Sequence, residues 1–362
     1  MLNYKNPKLL IDRATVEAGE IAWRSPSNLA LIKYWGKHGE QLPRNPSISF
    51  TLQNAFTETA LAYAPKAATA DEGINLAFTF EGEPNEAFGN RVQQFLEKVS
   101  DIFPFLKQLD LTIRSANSFP HSSGIASSAS SMSALALALC SLEAELFGTL
   151  EEDEEFDRKA SFVARLGSGS ACRSIFPNVA VWGESGAVEG SSDLYATPYT
   201  KIHEVFNSFH DDILMVSKGE KSVSSSAGHA LMDGNPYATA RYQQANDRMR
   251  LLLETLEDGD VDRFGQIVEN EALTLHAMMM SSQPSYLLMH PNTLTIIQRI
   301  RDFRADTKHP IYFSLDAGPN VHLLYPEEII HEVRPFVDEQ LAPLCEEQQY
   351  LPDWVGEGPE EL

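Results

Sequence analysis

A chain of 362 residues with 51 acidic against 28 basic side chains carries a formal charge of −23. That balance argues against a nucleic-acid partner, because gripping a phosphate backbone needs clustered Lys and Arg, and it means that any polyanion site must gather its few cations locally. The length suffices for two domains, each with its own core.

Taken in order, residues 14–23 suit a strand that Ser25-Pro26-Ser27-Asn28 should break. Leu29 to His38 is an apolar run ending in Lys33 and Lys37 beside Tyr34 and Trp35, readable either as a core segment with snorkelling lysines or as an anion site. A loop from Pro43 feeds a strand in which Ile48, Phe50 and Leu52 alternate, and residues 57–63 and 74–80 continue the β pattern. Residues 87–103 read as a helix and 109–114 as a short strand.

That strand leads into Asn117 to Ser131, a Gly/Ser-rich loop. Met132, Leu135, Leu139, Leu142 and Leu146 then recur at helical spacing, and Gly148 should end the helix. Small residues let backbone N–H groups approach an anion, and the free N–H groups and dipole at the helix head favour an oxyanion there. Serine hydroxyls can also ligate magnesium. The loop is neither a Walker A sequence nor Gly-x-Gly-x-x-Gly. We read it as a phosphate cradle rather than a flexible linker.

A helix over 156–166 runs into a second small-residue turn, Gly167 to Ser174, which carries Arg173, a planar fork suited to a carboxylate or phosphate. A strand over 178–182 follows. Beyond residue 200 come a strand at 212–216, a third polar loop at 218–226, a helix stopped by Gly259, another from Val261, and one opening at Asn292 as its N-cap. Residues 311–321 place Asp316 at the end of a strand-like run, before a Gly-Pro turn. The acidic stretch from Glu346 to Glu361 reads as a solvated run. Cys140, Cys172 and Cys345 are too scattered for a disulfide framework or a zinc site. The N-terminus lacks signal-peptide character and no apolar run is expected to span a bilayer, so a cytoplasmic location is expected.

Four segments together, Asn28 to Lys37, Phe119 to Ser130, Gly167 to Ser174 and Asp316 to Asn320, resemble the GHMP superfamily of small-molecule kinases, and within it the diphosphomevalonate decarboxylase family. The resemblance implies an α+β two-domain fold. Residues 1–204 would form a half like ribosomal S5 domain 2, residues 205–362 a ferredoxin-like half, and the active site would lie in the cleft between them. It implies ATP and Mg2+, a small phosphorylated substrate, a homodimer, and ATP-dependent decarboxylation of mevalonate 5-diphosphate. The alternatives are decarboxylation of the monophosphate and simple kinase transfer. Its catalytic pair would be Asp316 and Lys33. Asn28, Ser168, Ser170 and Arg173 would hold the substrate carboxylate, and Tyr34, Lys37 and Ser225 its diphosphate. Asn117, Ser122, Ser123, Gly124, Ala126, Ser127 and Ser128 would hold ATP, with Ser127 and Ser128 also near the metal.

Overall fold

The computed structural model describes residues 3–67, 73–120, 125, 127–219 and 225–362, apart from the side chains of Ser225 and Ser226. Strand β1 (Gly19–Ile32) runs through the Pro26 segment expected to break it. A register slip between Pro26 and Asn28 forms a bulge, which absorbs the missing proline N–H without ending the pairing. A short hairpin, β2 (Lys37–His38) and β3 (Leu42–Pro43), leads into β4 (Ser47–Pro65), one continuous strand where the sequence suggested two. In its second half Ala55, Thr57, Thr59, Leu61 and Tyr63 are buried in alternation with half-buried neighbours, the pattern of a strand covered mainly on one face. Its first six residues are all buried: Ile48 and Phe50 join an apolar cluster with Met249 and Phe264, while Ser47 and Ser49 meet Arg173 on the other face.

β5 (Asn75–Phe80), β6 (Glu83–Pro84), α1 (Glu86–Val99) and β7 (Leu109–Asn117) follow. Asn85 caps α1 by accepting the Phe88 N–H, and the helix stops at Val99, before the expected Phe103, giving way to a 3-10 turn over Pro104–Gln108. α2 (Ser127–Phe147) lies between the sheet and α3 (Asp153–Gly167), and Gly148 ends it at φ +61°, where a side chain would be strained. Contrary to the sequence expectation, α2 is long and apolar enough to cross a membrane. The tertiary packing explains this: Leu135, Leu137, Leu139 and Leu142 are buried in the core, so the apolar surroundings come from the protein itself.

A 3-10 turn (Gly169–Ile175), β8 (Val179–Trp182) and β9 (Ala196–Pro198) complete the first half. The second half comprises β10 (His210–Leu214), α4 (Ser225–Ala230), α5 (Ala238–Asp258), α6 (Val261–Met280), α7 (Pro291–Thr307), β11 (Tyr312–Ser314), β12 (Val321–Tyr325), α8 (Ile330–Phe336), β13 (Tyr350–Leu351) and β14 (Glu360–Glu361). His290, not Asn292, caps α7, because Pro291 occupies the first helical position, where no N–H is required. One sheet runs β14-β1-β4-β7-β5-β6, with β8 on β4 and β9 on β8; the other runs β11-β12-β10-β13. Among the described residues only β5 and β7 pair in parallel. The second sheet packs Phe313, Val321 and Leu323 against Ile296 and Ile300 of α7 and Val333 of α8. This is the two-domain α+β architecture the resemblance implied.

The acidic C-terminal stretch is not simply solvated. Asp353 is fully buried; its Oδ1 accepts the N–H groups of Gln53 (2.9 Å), Asn54 (2.8 Å) and Trp354 (2.8 Å), and Oδ2 accepts that of Ala55 (2.8 Å). Burial pushes this carboxyl up to about 7 while the N–H donors pull it back. The carboxylate thus fastens the tail to β4, and β14 then pairs with β1. An Asp353→Asn substitution turns one acceptor into an amide facing N–H groups, which costs about 1–3 kcal/mol and should lower the melting temperature by roughly 3–8 °C. A calorimetric midpoint unchanged within about 1 °C would show that the tail is held by its other contacts.

Candidate active site

Lys33 leaves the end of β1 almost wholly buried, and its Nζ donates to Oδ1 of Asp316 at 3.0 Å. The aspartate follows β11 and keeps about a quarter of its side chain exposed (24%), so the pair has a dry end and an accessible end. Lys33 is itself fixed through its backbone. Its N–H donates to Oε2 of Glu271 (2.9 Å), and its carbonyl accepts from Asn45 Nδ2 (3.2 Å) and Arg241 Nη2 (3.2 Å). Burial by itself would raise the Glu271 carboxyl, but Arg241 and Arg248, bound at 2.6 and 2.7 Å, and the Lys33 N–H hold it below the usual range. His276 donates from Nε2 to the Asp316 carbonyl at 3.1 Å, and burial pushes its pKa down to about 4, so the ring is neutral near pH 7.

Glu271, Arg241 and His276 were missed from the sequence. A signal was present: Arg241 lies on the stripe of Ala245, Met249, Leu252 and Leu256, and Glu271 on that of Phe264, Val268 and Leu275. A charge on the apolar face of each of two successive helices asks for a buried partner.

Arg173, in the 3-10 turn, is also buried. Its Nε donates to Ser49 Oγ (2.9 Å) and Asn28 Oδ1 (3.3 Å), Nη1 to Ser47 Oγ (2.6 Å), and Nη2 to Asn28 Oδ1 (3.1 Å). Asn28 is oriented in turn by its Nδ2, which donates to Ser174 Oγ (2.8 Å) and the Ser170 carbonyl (3.2 Å). Every one of these acceptors is neutral, and no carboxylate among the described residues lies within ion-pair distance of the guanidinium. Each terminal nitrogen carries two N–H groups and spends one, so the fork retains donors for an anion. Burial pulls its pKa down while Asp316, among its charged neighbours, raises it.

Tyr34 continues from Lys33, with its ring edge-on to Trp182 (4.7 Å) and tilted on His229 of α4 (4.3 Å). Its buried hydroxyl has no hydrogen-bond partner among the described residues. Lys37 Nζ donates to Gln41 Oε1 at 3.0 Å, and burial, with the charge of Lys98 nearby, lowers its pKa. Lys98 pairs with Glu40 at 3.3 Å, and Arg165 donates to the Glu40 carbonyl, so three cations gather around this hairpin. The Ser225 side chain lies outside the described residues; α4 stands next to Tyr34 through the His229 ring, whose Nδ1 accepts the Gly36 N–H at 2.9 Å.

Of the predicted cradle, Ser122, Ser123, Gly124 and Ala126 lie outside the described residues. Ser127 and Ser128 open α2, and Ser128 Oγ lies 3.3 Å from Ser168 Oγ, which brings the helix head against the turn of Arg173. Asn117 Oδ1 accepts from Thr57 Oγ1 at 2.8 Å, but its buried Nδ2 has no partner among the described residues. It borders a cavity of about 660 Å³, its open mouth included, walled by Phe78, Phe80, Phe88 and Met132, with Ser127 and Ser128 at the rim. An apolar pocket with a few polar groups beside a helix head suits a planar base joined to phosphates. The described residues contain no cluster of His, Cys, Asp and Glu able to hold a metal.

Comparison with known proteins agrees with this geometry. Residues 25–196 match the diphosphomevalonate decarboxylase-like N-terminal domain and residues 212–355 the mevalonate 5-diphosphate decarboxylase C-terminal domain. Diphosphomevalonate decarboxylase of Saccharomyces cerevisiae is 30% identical over 321 residues, which cover 84% of this chain and 77% of that one. The crystal structure of mevalonate diphosphate decarboxylase from Staphylococcus aureus matches with a TM-score of 0.81 at 25% identity over 95% of this chain and 98% of that one. The structure of MDDEF in complex with MVAPP, AMPPCP and magnesium matches with a TM-score of 0.80 at 29% identity over 95% and 99%. With both halves matched in order and the whole fold shared, this chain belongs to the diphosphomevalonate decarboxylase family of the GHMP superfamily.

Proposed function

We propose that this chain converts mevalonate 5-diphosphate and ATP to isopentenyl diphosphate, ADP, phosphate and carbon dioxide. The observation that carries the reading is Arg173, a buried guanidinium that spends its bonds on neutral acceptors and keeps donors beside the Lys33–Asp316 pair. A cation this dry is costly to bury without a counter-ion, and a substrate carboxylate supplies one. Asn28, Ser168 and Ser170 belong to the same carboxylate site.

A tertiary hydroxyl is a poor leaving group, so it is phosphorylated first. Asp316, kept ionised by Lys33, orients that hydroxyl and takes its proton as the terminal phosphoryl group of ATP transfers. As phosphate departs, its carbon becomes electron-poor. The electron pair of the bond to the carboxylate carbon then moves in to form the double bond, and carbon dioxide leaves. The buried floor of the site, with Lys33 and Arg173 both dry, limits attack of water on that carbon.

Tyr34, Lys37 and Ser225 hold the diphosphate in this reading. The cations of Lys98 and Arg165 close to Lys37 favour the diphosphate over the monophosphate. In this reading Asn117 faces the base of ATP, while Ser122, Ser123, Gly124, Ala126, Ser127 and Ser128 line its phosphates; a relative solved with AMPPCP and magnesium supports a nucleotide and a metal as ligands of this fold. Magnesium, when bound, would neutralise phosphate charge next to the hydroxyls of Ser127 and Ser128. The proposal includes folding units of residues 1–204 and 205–362, with the C-terminal tail returning to the first, and a cytoplasmic homodimer.

The test is a coupled ADP assay with mevalonate 5-phosphate and 5-diphosphate side by side, with volatile product trapped. Equimolar carbon dioxide and ADP from the diphosphate are expected. Preference for the monophosphate, or ADP without carbon dioxide, would replace the assignment with one of its alternatives.

A further inference from the structure

β12 divides its side chains between two environments. Val321, Leu323 and Tyr325 face the core with α7 and α8, and His322 faces the opposite way. On the neighbouring β10, Asp211 shares the face of Ile213, the cross-strand partner of His322. The two side chains meet there, both buried, with His322 Nδ1 at 2.7 Å from Asp211 Oδ1 and 3.0 Å from Oδ2. On its other edge His322 pairs with Ser314 of β11, two residues before Asp316, and the buried Ser314 hydroxyl has no partner among the described residues. The Asp–His pair therefore lies one strand over from the end of β11, which leads into the aspartate of the site.

The charged groups acting on this imidazole come from three segments: Asp211 on β10, Asp316 after β11 and Lys33 at the end of β1; Asp353 in the tail acts on Asp211 in turn. Burial works against a charged ring. The bidentate Asp211 carboxylate more than offsets it, Asp316 adds to that effect, Lys33 opposes it, and the balance lies above the ordinary histidine value. An ion pair this dry contributes little to stability compared with two apolar side chains of similar size, so its placement beside the site calls for another role.

We propose that His322, held by Asp211 one strand over from the end of β11, is a positioning residue for the reaction proposed above: together with Lys33 it keeps the Asp316 carboxylate ionised and aimed at the substrate hydroxyl. The inference rests on that reading for its consequence, but its electrostatic core can be measured without turnover.

Two measurements test it. In histidine side-chain NMR spectra, with His322 assigned by the resonance lost in His322→Gln, the Asp316→Asn substitution should lower the His322 titration midpoint by about half a unit or more, because it removes a facing negative charge. By reciprocity His322→Gln should raise the acid limb of the kcat/KM profile by a similar amount, so that turnover on the acid side falls by about threefold to tenfold while the KM for ATP stays unchanged; Asp211→Asn, which takes away a negative charge together with the positive one it holds, should move the limb less. A His322 midpoint that ignores Asp316→Asn overturns the proposal whatever the enzyme turns over. So does a lowered melting temperature in both variants with the acid limb unmoved, which would make the pair structural only. A wild-type chain that releases no carbon dioxide refutes the assigned reaction and leaves the NMR coupling as a separate result.

Discussion

Asp316→Asn should reduce kcat by on the order of a hundredfold or more while leaving nucleotide affinity within about twofold of the wild type. The amide keeps the shape and the carbonyl contact to His276, since that bond is made by the backbone of residue 316. What disappears is the negative charge that accepts the hydroxyl proton and balances Lys33 at 3.0 Å. Lys33 is buried too deeply to recruit bulk water in its place, so its ammonium becomes an uncompensated charge. In the proposed reading the nucleotide is held at the head of α2 and the cavity of Asn117, whose lining among the described residues does not include residue 316. Single-turnover kinetics with equilibrium nucleotide titration separates the two effects. Turnover within about threefold of wild type would remove Asp316 from the chemistry.

Arg173→Lys should cost about a hundredfold in kcat/KM for the carboxylate-bearing substrate, despite preserving the charge. The guanidinium bridges Ser47, Ser49 and Asn28 and still carries unspent donors, a geometry that needs a planar group with five N–H bonds. An ammonium has three donors in a different arrangement. If it satisfies the serines it withdraws from the substrate, and if it reaches the substrate it leaves buried hydroxyls and Asn28 unpaired. The loss should be larger for the true substrate than for an analogue lacking the carboxylate. Steady-state kinetics on both compounds measures the difference, and equal losses would make Arg173 a structural residue.

Much of the architecture was readable from local pattern. The apolar spacing of Met132 to Leu146 and the stop at Gly148 gave α2, and the strands over 74–80, 109–114 and 178–182 lie where alternation placed them. Local rules failed where tertiary partners compensated. The Pro26 break disappeared into a bulge against β4, and the apparent pause after Leu52 is bridged because Asp353 from the far end of the chain collects the N–H groups of Gln53, Asn54 and Ala55. The expected N-cap of α7 moved by two residues because His290 and Pro291 satisfy the helix start first.

For the site, the sequence by itself determined the chemical inventory: lysines at the end of an apolar run, an arginine in a small-residue turn, serines heading a long helix and an aspartate before Gly-Pro. Those features depend on residue type and short-range spacing, which any local reading can use. Tertiary structure alone decided which charges share a dry environment. Glu271 with Arg241 and Arg248 beneath Lys33, and Asp211 with His322 between β10 and β12, join residues separated by up to 238 positions. The cost of a charge is set by how much water it loses and by what replaces that water, and both are properties of the folded surroundings, not of neighbours along the chain.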